Sequence, residues 1–164
     1  MVSINVGDRA PDFSLIDNEL RHRSLGEFLG QNVLLVFFIE SFTDICDMEE
    51  CPFRNSMDKL IDLDVQVLGI SFNNPSKNKE YVKENFLPFP VLSDSKFEVI
   101  KLYGLFSPDP LAPKTYIVEK PAIFVIDQDG IVRYAWVSSD LSRVRPDYNL
   151  IQEQVEKLLR LANA

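Results

Sequence analysis

Asn32-Val33-Leu34-Leu35-Val36-Phe37-Phe38 is a short, almost wholly apolar run, and it leads straight into the stretch that holds both cysteines of the chain, Cys46 and Cys51. A strand with one wet face alternates polar and apolar side chains; this run does not, so it reads as a strand, Val33–Ile39, covered on both faces. A strand of that kind demands layers above and below it. From Asp44 to about Leu63, apolar residues at Ile45, Met48, Phe53, Met57, Leu60 and Ile61 fit helical spacing. Pro52 interrupts them, and a kink or weak turn is expected there. A thiol where a buried strand gives way to a helix lies near unpaired backbone N–H groups and the positive end of a helix dipole, both of which favour thiolate.

The remaining chain repeats the strand–helix alternation. Residues 1–12 read as an extended lead-in, and Phe13-Ser14-Leu15-Ile16 as an edge strand. Ser24–Leu29 suggests one helical turn closed by Gly30. Val65–Ser71 is a second core strand, and Asn73-Asn74-Pro75-Ser76 is a turn and cap for a helix over Lys77–Asn85. Phe89–Ser93 is a short strand with an edge-type proline, followed by a helix capped at Asp94 or Ser95 and stopped by Gly104. The prolines of Ser107–Lys120 predict a surface loop. Ala122–Asp127 is a buried strand, joined through Asp129-Gly130 to a hairpin partner over Ile131–Val137. Leu150, Ile151, Val155, Leu158, Leu159 and Ala162 mark one face of a final helix. This order predicts an α/β fold, three layers around a central mixed sheet, in one domain over residues 1–164.

Composition removes several functions. A net charge of −8 disfavours nucleic acid as a partner. No apolar run approaches the roughly 20 residues of a membrane span, and Met1–Asp8 has the make-up of no secretory signal. A cytoplasmic protein is expected. In that compartment two cysteines are not a permanent staple, which leaves a transient, catalytic or sensing disulfide, or two unrelated buried thiols. Two cysteines and one histidine fall short of a closed zinc site, and no Gly-rich phosphate loop is present, so no metal or cofactor is expected. His22, between Arg21 and Arg23, reads as exposed and peripheral, a poor base for a cysteine hydrolase.

The spacing of the cysteines carries its own constraint. In one regular helix, positions five apart place their Cα atoms about 8.6 Å from each other. A disulfide tolerates at most about 7 Å. The pair can close only if the first helical turns unwind, and Pro52 lowers the cost of unwinding. The stretch therefore reads as a switch between a helical dithiol and a locally melted disulfide.

Phe37-Phe38, Phe42-Thr43-Asp44-Ile45-Cys46 and Glu49-Glu50-Cys51-Pro52-Phe53-Arg54 together resemble the active-site segment of peroxiredoxins, and most closely the bacterioferritin comigratory type. Val6–Leu15 is similar to the opening of that family, and Phe124–Gly130 with Arg133–Ser138 to its late hairpin. The resemblance implies a thioredoxin-like fold and a thiol peroxidase acting on hydrogen peroxide and organic hydroperoxides. It implies that Cys46 attacks the peroxide as a thiolate and becomes a sulfenic acid, and that Cys51 resolves it as an intramolecular disulfide. Thr43 matches the family's hydroxyl residue, which hydrogen-bonds the thiolate or peroxide oxygen. A thioredoxin-like dithiol protein is implied as reductant, and a monomer or weak homodimer as the working form.

Two positions depart from the family pattern. Ile39 stands where the family has a proline that shields the thiolate, and Pro121 where it has an arginine that lowers the thiol pKa. Lys120, Arg133 and Arg54 are the candidate replacement cations. Without one, a thiol of ordinary pKa is only about 3% ionised at pH 7. Asp44, Asp47, Glu49 and Glu50 add charge that repels a thiolate. Two further readings stand beside the peroxidase: a thiol-disulfide oxidoreductase or redox sensor on the same fold, and a non-enzymatic binding protein. Thioredoxin-type reductases carry two residues between their cysteines, whereas four lie between Cys46 and Cys51.

Overall fold

The structure, a computed structural model, describes residues 4–37, 52–108, 117–119, 122–137 and 148–162. Nine strands and four helices follow one another: β1 (Ser14–Asp17), β2 (His22–Ser24), β3 (Val33–Phe37), α1 (Pro52–Asp62), β4 (Gln66–Ser71), α2 (Pro75–Glu84), β5 (Val91–Ser93), α3 (Glu98–Leu102), β6 (Phe106–Pro108), β7 (Ile117–Glu119), β8 (Ala122–Ile126), β9 (Val132–Val137) and α4 (Tyr148–Ala162). A 3₁₀ turn, Leu25–Phe28, sits between β2 and β3.

The main sheet has the order β2-β1-β5-β4-β3-β8-β9. β3, β4 and β5 run parallel; β1 opposes β5, and β8 opposes β3. It is the mixed sheet the alternation predicts. β3 lies between β4 and β8 with all five residues buried, which is why its sequence has no polar face. Its side chains divide by parity. Val33, Leu35 and Phe37 pack with α3, the 3₁₀ turn, Leu68, Ile70 and Phe124. Leu34 and Val36 pack on the other face with Met57 and Leu60 of α1 and Ile151 and Val155 of α4. Three layers result.

Local chemistry sets the helix ends. The Asn74 side chain accepts from the Lys77 N–H at 2.8 Å and Pro75 occupies the first turn, so α2 starts two residues before the expected Lys77. Gly104 follows α3 at φ +72°, the left-handed conformation that ends helices. Asp94 does cap α3, but from a distance: its carboxylate accepts from the Glu98 and Ile100 N–H groups, while Phe97 forms the helix boundary.

Four expectations are corrected. β1 is not an edge strand, because the short polar segment His22–Ser24 pairs outside it. Pro90 does not mark an edge either: it precedes β5, an interior strand, and only its carbonyl is used, accepting from Gly69 at 3.0 Å. The span Ser107–Lys120 is not loop throughout, since β6 and β7 pair as a two-stranded ribbon within it. Leu150 lies 37% exposed, off the buried face of α4 that Ile151 and Val155 occupy.

Candidate active site

Thr43, Cys46, Cys51 and Ile39 lie outside the described residues, as do Lys120, Pro121 and the side chain of Arg54. The junction at which Pro52 was expected to kink a helix also reaches into residues outside them. What the structure does define is the frame that receives the chain on either side. β3 delivers it at Phe37, and α1 takes it up at Pro52, a residue well suited to the first position of a helix.

β3, β4 and β5 are parallel, so their carboxyl ends, Phe37, Ser71 and Ser93, share one edge of the sheet. In open α/β sheets ligands bind beyond that edge. The antiparallel register sets Ala122, the first residue of β8, directly beside Phe37. Residues 38–51 and 120–121 therefore join described strands at the same edge.

The end of β3 is held by aromatic packing. The Phe37 ring lies 5.2 Å from that of Tyr103 and 5.8 Å from that of Phe124, and Tyr103 lies 5.3 Å from Phe124. The Tyr103 hydroxyl donates to the Pro11 carbonyl at 2.6 Å. Burial, with a lesser contribution from the Asp12 charge, pushes the Tyr103 phenol far above its ordinary value, so it acts as a donor and not as a base. On the other face of the sheet, a polar knot closes the carboxyl ends of β4 and β5. Ser71 donates to the Asn78 side chain at 2.7 Å, the Asn73 N–H donates to the Ser71 hydroxyl at 3.2 Å, and the Ser93 hydroxyl donates to the Asn73 carbonyl.

Arg133, one of the candidate replacement cations, lies toward the end of the sheet opposite Phe37. Its neighbour Val132 pairs with Ile126, which pairs with Val33 at the start of β3. Phe37 is four residues further along, about 13 Å at strand rise. The guanidinium is also committed: its Nε donates to Asp127 at 2.7 Å. Burial raises the Asp127 pKa, but the N–H groups of Ile131 and Asp129 and the Arg133 contact outweigh it and hold the carboxyl below its ordinary value. This pair fastens the β8–β9 hairpin at the end of the sheet opposite Phe37.

His22 is exposed, as expected, on β2, four strands or about 19 Å from β3 across the sheet. Among the described residues no three His, Cys, Asp or Glu side chains group to hold a metal, and no helix is long and apolar enough to cross a membrane. Sequence reasoning gave Tyr103 no role beyond ending a helix. An aromatic residue one position before the Gly104 stop was the available signal.

Residues 6–135 match the AhpC/TSA family. Peroxiredoxin Bcp of Escherichia coli is 34% identical over 136 residues, 83% of this chain and 87% of its own length. The rice (Oryza sativa subsp. japonica) protein Peroxiredoxin Q, chloroplastic, is 34% identical over 135 residues, 81% of this chain and 59% of its own. Among solved structures, peroxidoxin BcpB of Mycobacterium tuberculosis superposes with a TM-score of 0.75 at 24% identity, covering 96% of this chain and 97% of that one. PrxQ of Xylella fastidiosa gives 0.77 at 19% identity, covering 99% of each chain. These likenesses bear out the thioredoxin-like fold. With the family match spanning most of the sequence, the chain belongs to the AhpC/TSA family and, within it, to the peroxiredoxins of bacterioferritin comigratory type, which are thiol peroxidases.

Proposed function

We propose that the chain, as one domain over residues 1–164, reduces hydrogen peroxide and organic hydroperoxides through Cys46, with Cys51 as resolving thiol and Thr43 in support. The observation that carries this reading is positional. Both cysteines and Thr43 fall on the connection between the carboxyl end of the buried parallel strand β3 and the first residue of α1.

The Cys46 thiolate attacks one peroxide oxygen, the O–O bond breaks, and the leaving alkoxide or hydroxide takes a proton to depart as alcohol or water. Cys46 is thereby oxidised to a sulfenic acid. The Cys51 thiol then attacks that sulfur, forming the disulfide and releasing water. A thioredoxin-like dithiol protein reduces the disulfide by exchange and is itself oxidised. Thr43 donates a hydrogen bond to the thiolate or accepts one from the peroxide. The cycle needs a reducing compartment, which favours the cytoplasm, and a monomer or weak homodimer suffices for it.

Rapid mixing of the reduced protein with hydrogen peroxide tests the reading, followed by the fluorescence of Trp136, the sole tryptophan, and by mass analysis. The parent protein is expected to lose two hydrogens as Cys46 and Cys51 join. Cys51→Ser should consume one equivalent of peroxide and stop at the sulfenic acid. Full turnover by Cys46→Ser would refute the assignment.

A further inference from the structure

At the end of the sheet opposite Phe37, the second half of α4 and the β8–β9 turn line a cleft of about 490 Å³. Small-molecule sites are commonly of this size. The most buried residue of its wall is Asn32, which leads into β3. Asn32 is 4% exposed, and its backbone is fixed, the carbonyl accepting from the Gln66 N–H at 3.0 Å. Its side-chain amide has no hydrogen-bond partner among the described residues. Buried polar side chains are nearly always paired, and leaving one unpaired is costly. Here the unspent donor and acceptor belong to a residue that lines a cleft.

The rest of the wall adds charge of both signs. Gln154 and Lys157 are three apart on one face of α4, and neither side chain has a partner among the described residues. Across from them Asp127 is spent: its oxygens accept from the Asp129 and Ile131 N–H groups and from Arg133 Nε. Arg133 keeps the N–H groups of its two terminal nitrogens, and the Asp129 carboxylate is unpaired among the described residues. The cleft thus offers cationic donors at Lys157 and Arg133, a carboxylate at Asp129, and amides at Asn32 and Gln154. A simple anion would meet Asp129, and a simple cation would meet Lys157. A ligand with both charges and an amide between them uses every group.

We propose that this cleft binds a dipeptide as its zwitterion, the carboxylate received by Lys157 and Arg133, the peptide amide by Asn32 and Gln154, and the ammonium by Asp129. An asparagine side chain presents one N–H side and one C=O side, which is what a peptide bond needs of a partner. Asn32 lies just before Val33, and Val33 is about 13 Å along β3 from Phe37, where the chain leaves toward the cysteines. The site is therefore separate from the one proposed for peroxide, and it stands or falls independently of the peroxidase reading.

The test titrates the full chain with L-alanyl-L-alanine, with its N-acetyl derivative, which lacks the ammonium, and with its C-terminal amide, which lacks the carboxylate. Calorimetry gives the affinity, and backbone amide chemical shifts give the place. The parent is expected to bind the free dipeptide saturably with a Kd of about 1 mM or tighter, and each blocked form about tenfold more weakly. The shifts should move at residues 127–129 and 154–158 and at Asn32. Asn32→Ala and Lys157→Met should each weaken binding about tenfold. Lys157 is exposed, so Lys157→Met decides the matter even where Asn32→Ala unfolds. Lack of saturable binding by the parent at about 10 mM overturns the proposal, as does affinity that persists in Lys157→Met. Equal binding of the acetylated form would make the cleft a plain anion site and overturn the zwitterion.

Discussion

Tyr103 fastens the lead-in of the chain to the end of its central strand: its hydroxyl donates to the Pro11 carbonyl at 2.6 Å, and its ring lies 5.2 Å from that of Phe37. At 1% exposure the phenol has no water to fall back on, whereas Pro11 is half-buried. Tyr103→Phe keeps the ring contacts but removes the donor to the Pro11 carbonyl, and should cost about 1 kcal/mol. Tyr103→Ala also empties a core position and should cost about 4 kcal/mol. Urea unfolding of the two variants checks the split. Equal costs would mean that the hydrogen bond and not the ring holds the site.

Asp94 makes a pH-dependent contribution with a definite sign. It is 2% exposed, and burial raises its pKa above the ordinary 3.8 even though the N–H groups of Ile100, Val99 and Glu98 pull the other way. A carboxyl that holds its proton more tightly folded than unfolded adds stability below the unfolded pKa and loses it as pH rises through the folded one. The stability advantage of the parent over Asp94→Asn should therefore shrink as pH rises from below the ordinary 3.8 through the raised folded pKa. Asp94→Ala, which also removes the acceptor for two helix N–H groups, should cost about 2 kcal/mol more than Asp94→Asn at every pH. Chemical unfolding at four or five pH values measures both.

Asp127 should behave in the opposite sense. Its folded pKa is lowered, so its stabilising effect is present above the unfolded value and disappears as pH falls through the folded one. Asp127→Asn keeps an acceptor for the Ile131 and Asp129 N–H groups but loses the charge that Arg133 meets. A cost of about 1 kcal/mol at neutral pH is expected, because Arg133 is half in water and the pair is partly screened. The cost should vanish once the pH falls through the folded, lowered pKa of Asp127. A pH-independent difference between the two proteins would show that the charge is irrelevant to the hairpin.

How far the sequence reveals this molecule depends on whether a signal is local. β3 and β8 are legible because a strand buried on both faces has nothing polar in it, and α2 because Asn74-Pro75 both caps and opens a helix. β1 looked like an edge because the strand that covers it, His-Arg-Ser, carries no apolar signal and exists only through its partner. The ribbon of β6 and β7 was hidden by the prolines around it, although Ile117-Val118 has strand character on its own. For the proposed site, spacing and family likeness nominate the cysteines and Thr43, which lie outside the described residues. The position of Arg133 is not: only the register of three strands shows that it sits at the wrong end. Nor does any sequence rule foresee a phenylalanine at φ +59°.

With Arg133 paired to Asp127 away from the Phe37 end of the sheet, Arg54 and Lys120 are the cations we propose to lower the Cys46 pKa. Arg54 lies in the first turn of α1, three positions after Cys51, and an arginine stays charged at every pH at which a thiol titrates. Lysine carries its charge on a strongly hydrated, flexible arm and holds a thiolate less well. Arg54→Met is therefore expected to raise the Cys46 pKa by about one unit, which removes most of the thiolate present at pH 7 and slows peroxide reduction about tenfold. Lys120→Met should shift it by a few tenths of a unit. Arg133→Met should leave the pKa where it is while lowering stability by about 1 kcal/mol through the loss of the Asp127 contact. The three variants are read by the pH dependence of Cys46 alkylation, with urea unfolding alongside. A raised thiol pKa in Arg133→Met at unchanged fold would bring that arginine back into the role, and a full-size shift in Lys120→Met would move the role to that lysine.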